Sequence, residues 1–310
     1  MTMHQANLLH TPATLNDRYL LEGPRTLGDA LIWVNIQAGA SASTGSVWLR
    51  DWNTEVVVEH AMPARPGFVF PTNKPNLLIV GCEKVIGTYD LETRDWVPLA
   101  AIPDTHPRTI INDGEIVPGG SAIIFGTKDV NFSEPIGQLY LYTFSDGILS
   151  ILADGMTCSN GKIIRDGFLW DIDTPRKTVQ RYRLNLEDRS IEEDCISLDL
   201  WHRDDFPDGM IDGGNGSVII AFYNPLPGMY GEAMRYDLKS GEVIETWHTP
   251  ESPRVTCPLL VQRPEGIRLI LTTAIEGMNP EEFARCPNAG AIFMSATDQD
   301  TLPPREVCVL

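Results

Sequence analysis

The chain of 310 residues carries 24 Lys+Arg against 42 Asp+Glu, a formal net charge of −18 with a pI near 4.6. A surface of that sign repels phosphate backbones, which argues against nucleic acid and leaves metal cations and neutral small molecules as partners. Six scattered cysteines without C-x-x-C spacing, a polar Met1–Asn16 segment without a leader-like apolar core, and no run of membrane-spanning length predict a reduced, cytoplasmic protein that binds no membrane.

Residues 1–16, with His4, Gln5 and His10, read as a loosely ordered N-terminal arm. From there the chain repeats. In the first unit the turn Leu27-Gly28-Asp29 leads into the apolar run Leu31-Ile32-Trp33-Val34. An alternating strand, Ser46–Arg50, and an outer strand, Glu55–Val58, follow. The second unit repeats this with Leu77–Val80 and Val85–Asp90, the third with Ala122–Phe125 and Gln138–Tyr142. The fourth has Phe168–Trp170 and Val179–Leu184. The fifth has Val218–Ala221 after the glycine-rich hairpin Asp212–Gly216, then Ala233–Leu238 and the outer strand Glu242–Glu245. The sixth has Leu269–Leu271 and Ala291–Met294. The anchors Ile32, Leu78, Ile123, Leu169, Ile219 and Leu269 lie 46, 45, 46, 50 and 50 residues apart. Units of this length with four strands each are propeller blades. The expected fold is all-β: a single-domain, six-bladed β-propeller of four antiparallel strands per blade, spanning 1–310.

The first strand of each blade lines the central channel of a propeller, so matching repeat positions converge there. Nine to eleven residues before the anchors stand Glu22, Asn112, Asn160 and Asp208 in blades one, three, four and five. Blades two and six offer Gly67-Phe68 and Cys257-Pro258, neither ligand-like. Asn-Gly and Asp-Gly pairs taken singly are turn formers. Four oxygen donors in register predict instead a site for a hard divalent cation: Ca²⁺ first, with Mg²⁺, Mn²⁺ or Zn²⁺ as further options.

These segments also resemble the gluconolactonase, senescence-marker-protein (regucalcin) and luciferin-regenerating-enzyme family of six-bladed propellers. The matching motifs are LLEGP with LIWVNI, INDGEIVPGG with FGT, GQLYLY, DGMTCSNG with LWDID, FPDGMIDGGNG with IIAFYN, and TTAIEGMNPEEFARCPNAGAIF. The resemblance implies a lactone hydrolase with one divalent metal in the channel. It assigns the metal ligands to Glu22, Asn160 and Asp208, substrate contact to Asn112, and the general-base role to Asp208. The chain departs from the family pattern at Ile110, where sugar-lactone members carry an arginine. It departs again at Asn131, the nearest residue to a family glutamate that binds sugar hydroxyls. Both departures point to a pocket for a less hydroxylated lactone. Asp173 is expected one layer behind the ligands, supporting them.

Other signals are weaker. The six histidines show no paired spacing, and His202 reads as a loop residue. No G-x-S-x-G elbow is present. Asp212–Gly216 reads as a hairpin turn rather than a calcium loop, and the loops Pro225–Gly231 and Glu276–Pro280 as possible rims of the channel. The expected partner is a small-molecule lactone bound by a monomer or weak homo-oligomer. Two other function classes remain open: a non-catalytic divalent-metal-binding or sensing propeller, and a metal-dependent phosphotriesterase-like hydrolase.

Overall fold

A computed structural model describes residues 1–310. The chain opens with two short strands, β1 (Thr2–Gln5) and β2 (Asn7–His10). The first blade is β3 (Leu21–Leu27), β4 (Ala30–Asn35), β5 (Ser46–Asp51) and β6 (Val57–Ala61). The second is β7 (Pro66–Pro71), β8 (Leu77–Cys82), β9 (Val85–Asp90) and β10 (Trp96–Ala101). The third is β11 (Thr109–Ile116), β12 (Ala122–Asp129), β13 (Gly137–Thr143) and β14 (Leu149–Met156). The fourth is β15 (Ser159–Arg165), β16 (Phe168–Asp173), β17 (Thr178–Asn185) and β18 (Ser190–Asp199). The fifth is β19 (Phe206–Gly214), β20 (Ser217–Tyr223), β21 (Tyr230–Asp237) and β22 (Val243–Pro250). The sixth has β23 (Val255–Arg263), β24 (Gly266–Thr273) and β25 (Ile292–Ala296). Each blade is an antiparallel meander, and the inner strands β3, β7, β11, β15, β19 and β23 neighbour one another in a closed ring. This is the expected six-bladed propeller.

The apolar runs that mark the repeat are the second strands of the blades, buried on both faces. Their side chains fill the wedges between sheets. Phe68 stacks on Phe70, and Phe125 on Tyr140, in the wedge between blades two and three. Ile219, Trp247, Leu269, Leu271 and Phe293 fill the wedge between blades five and six. No helix is long and apolar enough to cross a membrane.

The N-terminal segment is not the loose arm expected of residues 1–16. β1 adds as a parallel fifth strand to β22, and β2 pairs antiparallel with β25 as the outer strand of blade six. The reason is an incomplete blade. β23–β25 supply three strands, and the bare edge of β25 leaves its ladder groups unpaired until β2 covers them. Ala6, between the two strands, is buried in the wedge of blades five and six. His4 lies against Trp247, its Nε2 2.8 Å from the buried Glu245 Oε1.

The C-terminal tail is also anchored. Residues 302–310 cross the face where the inner strands end. The Cys308 amide donates to Pro71 O, the Val309 amide to Gly120 O, and the Arg305 guanidinium to Thr26 Oγ1 and Leu260 O.

Every inner strand carries an irregularity at the same level. The register slips between Glu22 and Arg25, Pro66 and Phe68, Ile111 and Gly114, Asn160 and Lys162, Pro207 and Met210, and Val255 and Pro258. A bulge gives one strand extra residues against its partner and re-aims their side chains. The Pro207-Asp208-Gly209 corner is therefore a bulge inside β19, not a turn.

Glycine has a packing role there. A Cβ on Gly161 would lie 2.3 Å from Met210 N, and one on Gly209 would lie 2.7 Å from Thr256 O. Neighbouring inner strands approach too closely at this level for any side chain on the reverse face.

Candidate active and metal site

The bulges bring Glu22, Asn112, Asn160 and Asp208 to the same end of the channel, each near the start of its inner strand. They are 9, 4, 5 and 7 % exposed. The amides form a fixed chain. Asn112 Nδ2 donates to Asn160 Oδ1 at 2.8 Å and to Ser159 O at 3.0 Å. Asn160 Nδ2 donates to Thr174 Oγ1 at 2.7 Å, and the Thr174 hydroxyl donates to Pro207 O at 2.9 Å, next to Asp208. Blades three, four and five are thereby tied together, with Asn112 Oδ1 left without a protein donor.

The carboxylates are not tied down in this way. Glu22 Oε2 accepts only the Gly23 amide, at 3.1 Å. No cationic side chain lies within 4.0 Å of either Glu22 or Asp208. Burial, then the charges of Asp208 and Asp113, push the Glu22 carboxyl well above the usual carboxylate range; the Gly23 amide and Lys128 pull the other way. Burial also pushes Asp208 well up, against the pull of Lys128 and with Asp113 and Glu276 adding to the rise. Two buried carboxylates that repel each other are costly unless a cation joins them. Oxygen-only donors of this kind suit a hard divalent ion, so the residues present fit the implied metal, which Glu22, Asn160 and Asp208 would hold.

Asp173 stands behind this set. Its Oδ1 accepts the amides of Thr157 and Cys158 at 3.1 and 2.7 Å, fixing the backbone that leads into Asn160. Its Oδ2 lies 3.1 Å from Arg176 Nε without the alignment of a hydrogen bond. Ile110 is buried beside Asn112, directly across the ladder from Lys128 on β12. Asn131 lies on the exposed loop after β12, its backbone held by Asp129 Oδ1, and makes no hydrogen bond to this cluster. His202 is an exposed loop residue, and Asp212–Gly216 is the β19–β20 hairpin.

Sequence reasoning missed four residues around the site. Thr174 links Asn160 to the fifth blade. Lys128 brings a buried positive charge to the channel. Tyr223 and Arg254 tie two rim loops together: the Tyr223 hydroxyl donates to Glu276 O at 3.1 Å, and Arg254 donates to Glu276 O and to Pro225 O. Lys128 gave no clear signal, since it stands between Thr127 and Asp129 near the end of its strand. Cys158 also borders the site. Burial pushes its thiol up despite Lys128.

The one His/carboxylate triple with atoms close enough to share an ion is elsewhere, at His4, Glu245 and Asp298. Its Glu245 oxygens already accept from Asp298 N and Thr297 Oγ1, so it serves to clasp the two chain ends.

A distinct cavity of ≈ 320 Å³ lies where the inner strands finish. Arg25, Glu115, Lys162, Arg165 and Asp212 line it, and the tail residues Leu302–Glu306 cover it.

A family model described as the SMP-30/Gluconolactonase/LRE-like region matches residues 20–275. Regucalcin of Oryctolagus cuniculus is 24% identical over 210 residues, covering 66% of this chain and 68% of the relative. A solved structure described as a calcium-binding protein, regucalcin, from Agrobacterium tumefaciens superposes with a TM-score of 0.79 over 95% of each chain at 18% identity. The structure of a luciferin-regenerating enzyme gives 0.77 at 17% identity, over 90% of this chain and 92% of that one.

Proposed function

Because the chain belongs to the SMP-30/gluconolactonase/LRE-like family, we propose that it is a hydrolase that opens a lactone at the channel end holding Glu22, Asn112, Asn160 and Asp208. The observation that carries this reading is the pair of buried carboxylates, Glu22 and Asp208, with no counter-charge in contact. A divalent ion held by Glu22, Asn160 and Asp208, Ca²⁺ first among the candidates, would supply Lewis-acid polarisation of a carbonyl oxygen.

The chain's own residues do the rest. Asp208 takes the proton from water as the water oxygen attacks the carbonyl carbon. It returns that proton to the ring oxygen as the C–O bond breaks. The product is a hydroxy acid, which ionises and releases one proton. Asn112, locked through Nδ2 to Asn160 and Ser159, offers its free Oδ1 to a donor on the substrate. With Ile110 in the wall of the pocket, a less hydroxylated lactone suits it better than a sugar lactone.

The calcium-binding description of the Agrobacterium relative favours one other reading, a propeller that binds metal without turnover. A pH-indicator assay with a lactone panel and a phosphotriester, with and without EDTA, separates the readings. We expect acid release from a lactone, lost in EDTA and restored by excess divalent ion. Asp208→Asn should lower it by about 100-fold or more. Unchanged activity in EDTA or in Asp208→Asn would overturn the mechanism, and no acid release from any lactone would leave the binding role.

A further inference from the structure

Strand β12 reads Ala-Ile-Ile-Phe-Gly-Thr-Lys-Asp, and all eight residues are buried. Lys128 is 6 % exposed. It faces Ile110 across the ladder and forms a backbone bridge with Cys158 at the start of blade four. Its side of the strand is the one turned to blade four, since a Cβ on Gly126, two residues earlier, would strike Ser159 Oγ. The ammonium lies 5.6 Å from the centre of the Phe132 ring, with no hydrogen-bond acceptor in reach and no carboxylate within 4.0 Å. Its charge nevertheless reaches Glu22, Asp208 and Cys158.

An ammonium at the wall of the channel with no acceptor from the fold is free to meet an acceptor that enters the channel, and its own charge sets the sign of that partner. One ammonium does not balance the two carboxylates, Glu22 and Asp208, so Lys128 is no substitute for a divalent ion. With a divalent ion on those two carboxylates, Lys128 is the one cationic side chain of the pocket that no ion pair of the fold holds. Asp113 and Glu276 are half-buried and their charges also reach this pocket, but neither makes an ion pair with Lys128.

We propose that Lys128 is a carboxylate-binding residue of this pocket, and that the ligand brings an anionic oxygen to it. This rests on the reading of the channel as a lactone site. The carboxylate has two possible sources: a lactone that carries a carboxylate outside its ring, or the ring-opened hydroxy acid. The Phe132 ring and Ile110 put apolar surface beside the ammonium, which favours a charge-assisted contact there.

The test is calorimetric binding to calcium-loaded wild type, Lys128→Met and Lys128→Arg. Three ligands that are not turned over serve as probes: gluconate, a lactam carrying an exocyclic carboxylate, and a neutral lactam. In Lys128→Met we expect at least one acid to bind about tenfold or more weakly, while the neutral lactam changes by less than about twofold. Lys128→Arg should retain the acid within about threefold. Weakening of gluconate alone assigns Lys128 to the product, and weakening of the acidic lactam alone assigns it to the substrate. Equal binding of both acids to wild type and Lys128→Met overturns the proposal. So does equal loss of all three ligands, which marks a structural lysine. A wild type that opens no lactone but binds acid through Lys128 would sink the lactonase reading and leave this one standing.

Discussion

At the end of the channel where the inner strands begin, Glu22 and Asp208 are buried with no cation in contact. At the end where they finish, charge meets charge. Arg25 Nη1 lies 3.1 Å from Glu115 Oε2, and Arg165 Nη1 lies 2.7 Å from Asp212 Oδ2. Behind the bulge of blade four, Lys162 Nζ lies 3.3 Å from Asp171 Oδ1 and donates to Asn160 O at 2.7 Å. The same six strands build both ends. One end is neutralised from within and covered by the tail; the other leaves a deficit of positive charge that the fold does not make good. A cavity alone therefore does not mark the site: the closed end holds the ≈ 320 Å³ cavity, yet its charges are already paired.

The strongest test of the neutralised part is to unpair it. Lys162 and Asp171 are 1 % exposed each. Lys162→Met leaves Asp171 buried without its partner and frees the Asn160 carbonyl. We expect a loss of about 3–5 kcal/mol in urea unfolding. A loss below about 1 kcal/mol would mean that the paired charges contribute no more than surface ones, and the contrast between the ends would fail.

A second test reads the same pair through pH. Burial, opposed by Lys162, pushes the Asp171 carboxyl up to about 6 from an ordinary 3.8. A group whose folded value is raised stabilises the fold while protonated. Its contribution is complete below about pH 3.8 and is lost as pH rises through about 6. At one pKa unit per 1.36 kcal/mol, the step is about 3 kcal/mol. Subtracting the stability profile of Asp171→Asn from that of wild type, between pH 3.5 and 7.5, should isolate this step. A flat difference would place Asp171 in an environment no drier than water.

The fold was legible in the sequence because a propeller repeats. Six apolar runs at nearly equal spacing leave few other closed all-β arrangements, and the register of the polar residues follows from the repeat. The site was legible as a set, Glu22, Asn112, Asn160 and Asp208, but not in its local geometry. Asn-Gly and Asp-Gly spell a turn in isolation. Only the neighbouring inner strand, with its backbone 2.3 Å from where a Gly161 Cβ would be, shows why glycine stands inside a strand. Lys128 was hidden because a lysine near a strand end ordinarily reaches solvent. The closure by β2 was hidden because Asn7–His10 is short and finds its partner at the far end of the chain. One missed element did have a local signal. The helix α1 (Pro280–Arg285) starts with proline and carries a capping box from Asn279 to Glu282, at the end of the loop read as Glu276–Pro280.

The sharpest test of the open end is a reversal of sign. Glu22→Gln keeps the shape of the side chain and removes one of two mutually repelling buried carboxylates. In EDTA at neutral pH the variant should be more stable than wild type, by about 1–2 kcal/mol, because a buried charge without a partner has been taken away. The pH dependence follows from the raised Glu22 carboxyl. Wild type holds its full stability from this group only below the ordinary carboxylate range and loses it as pH rises, so the advantage of Glu22→Gln should vanish in acid. In saturating calcium the order should invert, since a ligand at about 1,000 times its Kd stabilises the protein that binds it by about 4 kcal/mol, and the variant has lost an anionic ligand. Thermal melts of both proteins, with EDTA and with calcium, read both signs. A Glu22→Gln protein less stable than wild type in EDTA would show Glu22 to be satisfied by the fold itself, and the two ends of the channel would then be the same kind of structure.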